Sequence, residues 1–366
     1  MRKSRMLALT SLAVVLAVLI LAAGVTDPAQ AAGEKAIRWK MQISAPAGTP
    51  YMDCAVAFSQ AVKESSGGRL LIKVSPGGAI VPSHEVTEAI RDGILDLANP
   101  NSAMDLGRIG PKVLLLGSSG FPAGPSPMEY LAWFYVGGGI DFANELYKDF
   151  NAVVIGVATP APAELFAHCN KPMLQVEDLK GIKFRTMGLW AEILTQFGAS
   201  VITVPGGEIY QSMERGVIDA FEYCGPGVDW KMGFHEVTKY IGAPGIHSPL
   251  SSNLVLINKK SWEKLPDDLK ALLKREAIAS SLTGYMTFAW GDSLGLAEYN
   301  KYGTKTFTLS PELQAKVAEA SKKLCDKYAA EDPVFKKIYD HQADFIRKWR
   351  ARELTVQPTA SLFDVK

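Results

Sequence analysis

Short apolar runs alternate with helical patterns twice along this chain, and that alternation restricts the fold more than any single motif. Ile37 to Ile43 reads as a strand. Thr49-Pro50 then opens a helix, with Thr as N-cap and Pro at the first helical position, and Tyr51, Ala55, Phe58 and Val62 follow at helical spacing. Gly67-Gly68 closes it. Leu70 to Val74 is a second strand, Ser83 caps a second helix with Glu85 and Glu88 near its positive end, and Ile94 to Ala98 is a third strand. Such a β-α-β-α-β run predicts a parallel sheet with helices on its faces.

A second series follows. Ser126-Pro127-Met128-Glu129 is a capping box opening a helix, and Gly137-Gly138-Gly139 breaks it before a further helix to about Phe150. Strands are expected at 152–159, 182–185, 201–204 and 217–221, with helices from Gly188 and Gly207 between them. The final hundred residues read as amphipathic helices at 261–264, 267–275, 282–302, 311–327 and 333–349. The fold class is therefore α/β with two lobes and a helical tail. The expected division is a leader at 1–32, a first lobe at 33–158, a second at 159–258, and a helical region at 259–366 that packs on both lobes or on a second subunit.

The chain has 366 residues, 48% hydrophobic and 21% charged, enough to bury a substantial core. Arg2, Lys3 and Arg5 precede an apolar run from Met6 to Val25, and Ala29-Gln30-Ala31 offers a small-residue cleavage site. This is the pattern of a cleaved secretory signal peptide, a retained anchor being the alternative. No cysteine stands at the cleavage region, which argues against a lipid-anchored form. The net charge of +1 gives no reason to expect nucleic acid or strong membrane-surface attraction. Cys54, Cys169, Cys224 and Cys325 have no metal-site spacing, and both bridges and buried thiols are compatible with an exported chain.

Most catalytic patterns fail on context. Gly291-Asp292-Ser293-Leu294-Gly295 matches the nucleophile elbow of hydrolases, but that turn needs a strand before it, and 282–290 reads as helix. His84-Glu85-Val86-Thr87 and His235-Glu236-Val237-Thr238 both lack the second histidine of a zinc helix. Two strand ends are more informative. Arg185 ends Ile182-Lys183-Phe184, and Glu222 ends Val217-Phe221 before the turn Gly225-Pro226-Gly227. Ligands of open α/β sheets bind beyond the carboxyl ends of strands, and a guanidinium matches a carboxylate bidentately. By the same logic Asn101 and Ser102, beyond the strand ending at Ala98, are pocket candidates, and Trp39, Trp190 and Tyr223 fit either a pocket wall or a core.

The stretches "VEDLKGIKFRTMG", "GGEIYQSMERGVIDAFEYCGP" and "WFYVGGGIDFANELYKDF" resemble the extracytoplasmic solute receptors of TRAP transporters, in particular those that bind 2-oxo acids and lactate. The resemblance runs through nearly all of the chain after the leader. It implies a periplasmic, non-catalytic, two-lobed binding protein with a hinge, a long helix spanning both lobes, membrane transporter subunits as partners, and a homodimer in some members. It assigns Arg185 to the substrate carboxylate, and Glu222 and the Tyr223 carbonyl to a ligand-bridging cation. A Gln ligand of the family aligns with Glu164 here. Two carboxylates around one cation favour Ca²⁺ over Na⁺. A C4-dicarboxylate or another organic acid on the same scaffold is the alternative ligand, and a hydrolase using Ser293 the alternative activity.

Overall fold

The computed structural model describes residues 35–357, so the leader lies outside the described residues. The strands are β1 (Ile37–Ile43), β2 (Leu70–Ser75), β3 (Leu97–Asn99), β4 (Ala152–Val157), β5 (Ala167–Cys169), β6 (Lys183–Arg185), β7 (Ser200–Ile202), β8 (Ala220–Phe221), β9 (Tyr240–Ala243), β10 (Leu254–Asn258) and β11 (Lys305–Thr308). They form two sheets, a five-stranded one in the order β2-β1-β3-β10-β4 and a six-stranded one in the order β11-β9-β5-β8-β6-β7. Both are mixed. β1 runs parallel to β3, but β10 is antiparallel to β3 and β4; β6 is parallel to β7 and β8, while β5 is antiparallel to β8 and β9.

The sheets correct the expected boundaries. Leu254–Asn258, assigned to the second lobe on sequence, belongs to the first sheet, where every one of its residues is buried between β3 and β4. Lys305–Thr308, inside the expected helical tail, is an edge strand of the second sheet. The chain therefore passes between sheets at 158–166, again at 244–253, and a third time through the helix Asp267–Tyr302. The first two crossovers lie side by side: the Ala158 amide donates to Asn253 O (2.7 Å), that of Ala161 to Ser251 O (2.7 Å), and that of Glu164 to Ser248 O (3.1 Å). A paired double strand of this kind is a natural hinge.

Local chemistry places the helix ends. The Ser126 capping box forms, with the Glu129 amide donating to Ser126 Oγ and the Ser126 amide to Glu129 Oε2, and Gly138 at φ 90° separates Pro127–Tyr135 from Gly139–Tyr147. Thr49 does precede the helix Pro50–Ser65, but its hydroxyl turns back to donate to Pro46 O. Ser83 makes no cap bond and begins a short 3-10 turn ahead of Val86–Arg91.

The expected helices at 267–275 and 282–302 are one helix, Asp267–Tyr302. It packs against both lobes. Ser281 hydrogen-bonds Tyr135 at 2.7 Å on one side, and Asp292 Oδ1 accepts the Gly227 amide at 2.9 Å on the other. The Gly-x-Ser-x-Gly match sits in the middle of this helix, and Ser293 Oγ donates to Ala289 O within it, so no nucleophile elbow exists. Its glycines serve packing. A Cβ on Gly295 would lie 2.5 Å from Pro226 O, and one on Gly227 2.6 Å from the Gly291 backbone. Backbone meets backbone where the long helix crosses the turn that follows Glu222.

Candidate functional site

Arg185 closes β6 and Glu222 directly follows β8. These strands are parallel neighbours with Arg185 opposite Phe221, so their carboxyl ends deliver both side chains to the same sheet edge. The guanidinium is fixed on three sides: Nη1 donates to the Glu222 carbonyl (2.8 Å) and to Glu222 Oε1 (3.3 Å), and Nε to Val204 O (3.2 Å). Its carbon lies 5.8 Å from the centre of the Tyr223 ring, a cation–π distance. Gly206 makes room for that ring, since a Cβ there would come within 2.5 Å of it.

Glu164 arrives from the first crossover and His247 from the second. His247 Nε2 is 3.3 Å from Glu164 Oε2 and 4.0 Å from Glu222 Oε2. One donor atom from each of the three residues falls within 4.8 Å of the others, and all three side chains are buried. Close approach here needs Gly245, because a Cβ on it would collide with Glu164 O at 1.8 Å. Trp190 and Phe166 wall the imidazole at ring-centre distances of 5.9 and 5.8 Å. From the first lobe, the Tyr51 hydroxyl lies 3.8 Å from Cys224 Sγ, and the Tyr51 ring packs on Phe288 at 4.8 Å.

Burial dominates the electrostatics. It pushes the Glu164 carboxyl up to about 8 and also raises that of Glu222, where the Arg185 charge opposes it. His247 is lowered to about 4 by the same desolvation, so the imidazole is neutral at pH 7. Two carboxyls thus face one guanidinium, and neither ring nitrogen of His247 has a hydrogen-bond partner among the described residues. A cation fits this donor set. It would balance the surplus carboxylate and accept the imidazole lone pair, both of which are costly to leave unmet in a dry site. A third buried carboxyl, Asp229, is already partnered by His168 at 2.9 Å beneath the Phe221 ring.

The structure thus brings together Arg185, Glu164, Glu222 and Tyr223 from the sequence reading and adds His247 and Tyr51. It does not bring Asn101 or Ser102 to them. Asn101 accepts the Ala103 amide and donates to Ser252 O, pinning its own turn to the second crossover, and Ser102 is buried against Ser118 Oγ at 2.6 Å. Trp39 is a core residue of β1. All four cysteines are free thiols.

Two sheets joined by paired crossovers, with charged groups converging where the crossovers meet the strand ends, define a two-lobed solute-binding protein. The model for bacterial extracellular solute-binding protein, family 7, matches residues 41–332, and the chain belongs to that family. A monocarboxylate 2-oxoacid-binding periplasmic protein of Nostoc sp. is 28% identical over 334 residues, covering 90% of this chain and 91% of the relative. A TRAP periplasmic solute-binding protein from Colwellia psychrerythraea, solved with bound calcium and pyruvate, superposes with a TM-score of 0.82 at 26% identity, covering 88% of this chain and 98% of its own. Another from Pseudoalteromonas atlantica, with bound sodium and pyruvate, gives 0.81 at 25% identity over 88% and 97%.

Proposed function

We propose that this chain is the periplasmic receptor of a TRAP transport system and captures a small 2-oxo or 2-hydroxy monocarboxylate together with a cation. The observation that carries this reading is the buried convergence of Glu164, Glu222 and His247 beside Arg185. Arg185 takes one face of the ligand carboxylate through its fork. Glu164, Glu222, His247 and the Tyr223 carbonyl hold the cation, which supplies a positive charge that a 2-oxo acid meets with its carboxylate and 2-oxygen. The relatives named above for 2-oxo acids, or solved with pyruvate and a metal ion, support the same ligand class.

Two carboxylates favour calcium over sodium, since charge count and oxygen donors set calcium affinity. His247 adds a nitrogen that suits zinc and other transition ions, which are expected to compete at the site. A C4-dicarboxylate is the weaker reading. It asks for a second cationic side chain, and the second basic group in this cluster is His247, which burial keeps neutral.

Capture works by closure about the crossovers. Tyr51 reaches Cys224 from the other lobe, so ligand held on Arg185 favours the form in which such contacts exist. The closed receptor then delivers its ligand to membrane subunits. A thermal-shift screen of small carboxylates, with and without Ca²⁺, tests the assignment. Pyruvate and lactate raise the melting temperature only with the cation present; a larger shift with succinate or malate would move the chain to the dicarboxylate class.

A further inference from the structure

The segment that carries Glu222 and Tyr223 has little support of its own. β8 ends at Phe221, the next helix spans Pro226–Lys231, and Glu222 to Gly225 belong to neither. The Glu222 amide reaches Arg185 O only at 3.4 Å, and Cys224 O accepts the Leu165 amide at 3.0 Å. The helix that follows therefore does much to place the segment, and that helix lacks a cap of its own. Gly225 at its N-cap offers no side chain and Pro226 at its first position no amide hydrogen, so Gly227 carries the first amide left to satisfy.

Asp292, in the long helix Asp267–Tyr302, meets that need. Its Oδ1 accepts the Gly227 amide at 2.9 Å, the bond an N-cap side chain ordinarily makes. The fit is close. A Cβ on Gly225 would lie 2.5 Å from both carboxylate oxygens of Asp292, and one on Gly295 2.5 Å from Pro226 O. Burial pushes the Asp292 carboxyl up to about 6, with the Gly227 amide opposing the shift, so the group is mostly ionised at pH 7. Ser281, bonded to Tyr135 at 2.7 Å, fixes the same long helix in the first lobe. Asp292 thus passes the position of that helix to the turn after Glu222. The helix Pro226–Lys231 has a second anchor, to the sheet: Asp229 Oδ2 lies 2.9 Å from His168 Nε2 on β5, and His168 stacks on Phe221 at 4.9 Å. Loss of Asp292 leaves the helix fastened there and frees the turn before it.

We propose that Asp292 is a positioning residue of the binding site, capping Pro226–Lys231 from the long helix so that Glu222 and the Tyr223 carbonyl stay aimed at one cation. The role rests on the ligand reading above, and it gives the Gly291–Gly295 match a use that is not catalytic. Calcium titration calorimetry on the chelator-treated mature protein tests it, with circular dichroism as the control for folding. Asp292→Ala removes the acceptor and weakens calcium binding by at least about tenfold, as loss of an outer-shell partner does. Asp292→Asn keeps Oδ1 and recovers most of the affinity, a rescue that a general loss of stability would not produce. Asp292→Ser, whose hydroxyl stops one atom short, replaces the alanine variant if that one does not fold. Hydrogen exchange over residues 219–231 separates this role from the ligand reading: it speeds up in Asp292→Ala and not in Asp292→Asn, whatever the protein binds. Equal calcium affinity in wild type and Asp292→Ala overturns the proposal, as does an Asp292→Asn variant as weak as the alanine one. A wild type that binds no calcium overturns the ligand reading instead, and unaltered exchange in Asp292→Ala then removes the positioning role as well.

Discussion

His247 Nε2 lies 3.3 Å from Glu164 Oε2, although each belongs to a different segment crossing between the two sheets. The backbone pairing of those segments sets this distance, from Ala158–Asn253 to Glu164–Ser248. The proposed hinge and the proposed binding site thus share the same paired segments, so a ligand held by Glu164 and His247 would act directly on the crossovers.

Glu164 decides the charge of the cation. Glu164→Gln removes one of two carboxylates and is expected to weaken calcium binding by roughly a hundredfold, because charge count tunes calcium affinity. Calcium titration calorimetry on chelator-treated protein measures it. An unchanged affinity would take Glu164 out of the cation shell.

The pH dependence has a defined sign. Burial holds the Glu164 carboxyl at about 8, above its ordinary 4.5. Between these values the native cation-free protein binds more protons than the unfolded chain, so its stability falls as pH rises from about 4.5 to about 8. Scanning calorimetry in excess chelator should show the melting temperature declining across that window. Saturating calcium, which displaces the proton, should reverse or flatten the slope.

Arg185→Lys keeps the charge but loses the fork, and with it the simultaneous bonds to Val204 O, the Glu222 carbonyl and a ligand carboxylate. Pyruvate affinity should fall by at least about tenfold, with charge-assisted bonds of roughly 1.5–3 kcal/mol at stake. Isothermal titration checks it, with circular dichroism as the control for folding.

The two halves of the Gly291–Gly295 stretch should behave oppositely. Gly295→Ala drives a methyl into Pro226 O and Gly227, both backbone, and is expected to cost about 1–3 kcal/mol of stability. Ser293→Ala removes an exposed hydroxyl bonded only to its own helix and should change stability by less than about 0.5 kcal/mol. Urea denaturation of both variants measures the difference.

Arg185 and Glu222 were legible in the sequence because each ends an apolar run, and a charged residue in that place has few structural uses. Glu164 became visible only through the family resemblance, since 158–166 is irregular and has no period. His247 was missed. It follows β9, a four-residue strand whose Gly242 and Ala243 carry little hydrophobic signal, and its loop is recognisable only once paired with the other crossover. The three-residue strand β5 and the edge strand β11 were lost for the same reason: segments so short take their state from tertiary neighbours rather than from pattern. The sequence reading splits the long helix at 276–281, where Ser280-Ser281 interrupts the run of strong helix formers, although the backbone continues through it.

The central claim is joint capture of a small 2-oxo acid and a cation, and isothermal titration of pyruvate into exhaustively chelated protein, repeated after calcium is restored, tests it most directly. Binding should vanish without the cation and return with calcium, and the Glu222→Gln variant should not recover it. Pyruvate binding of equal strength in both conditions would contradict the account.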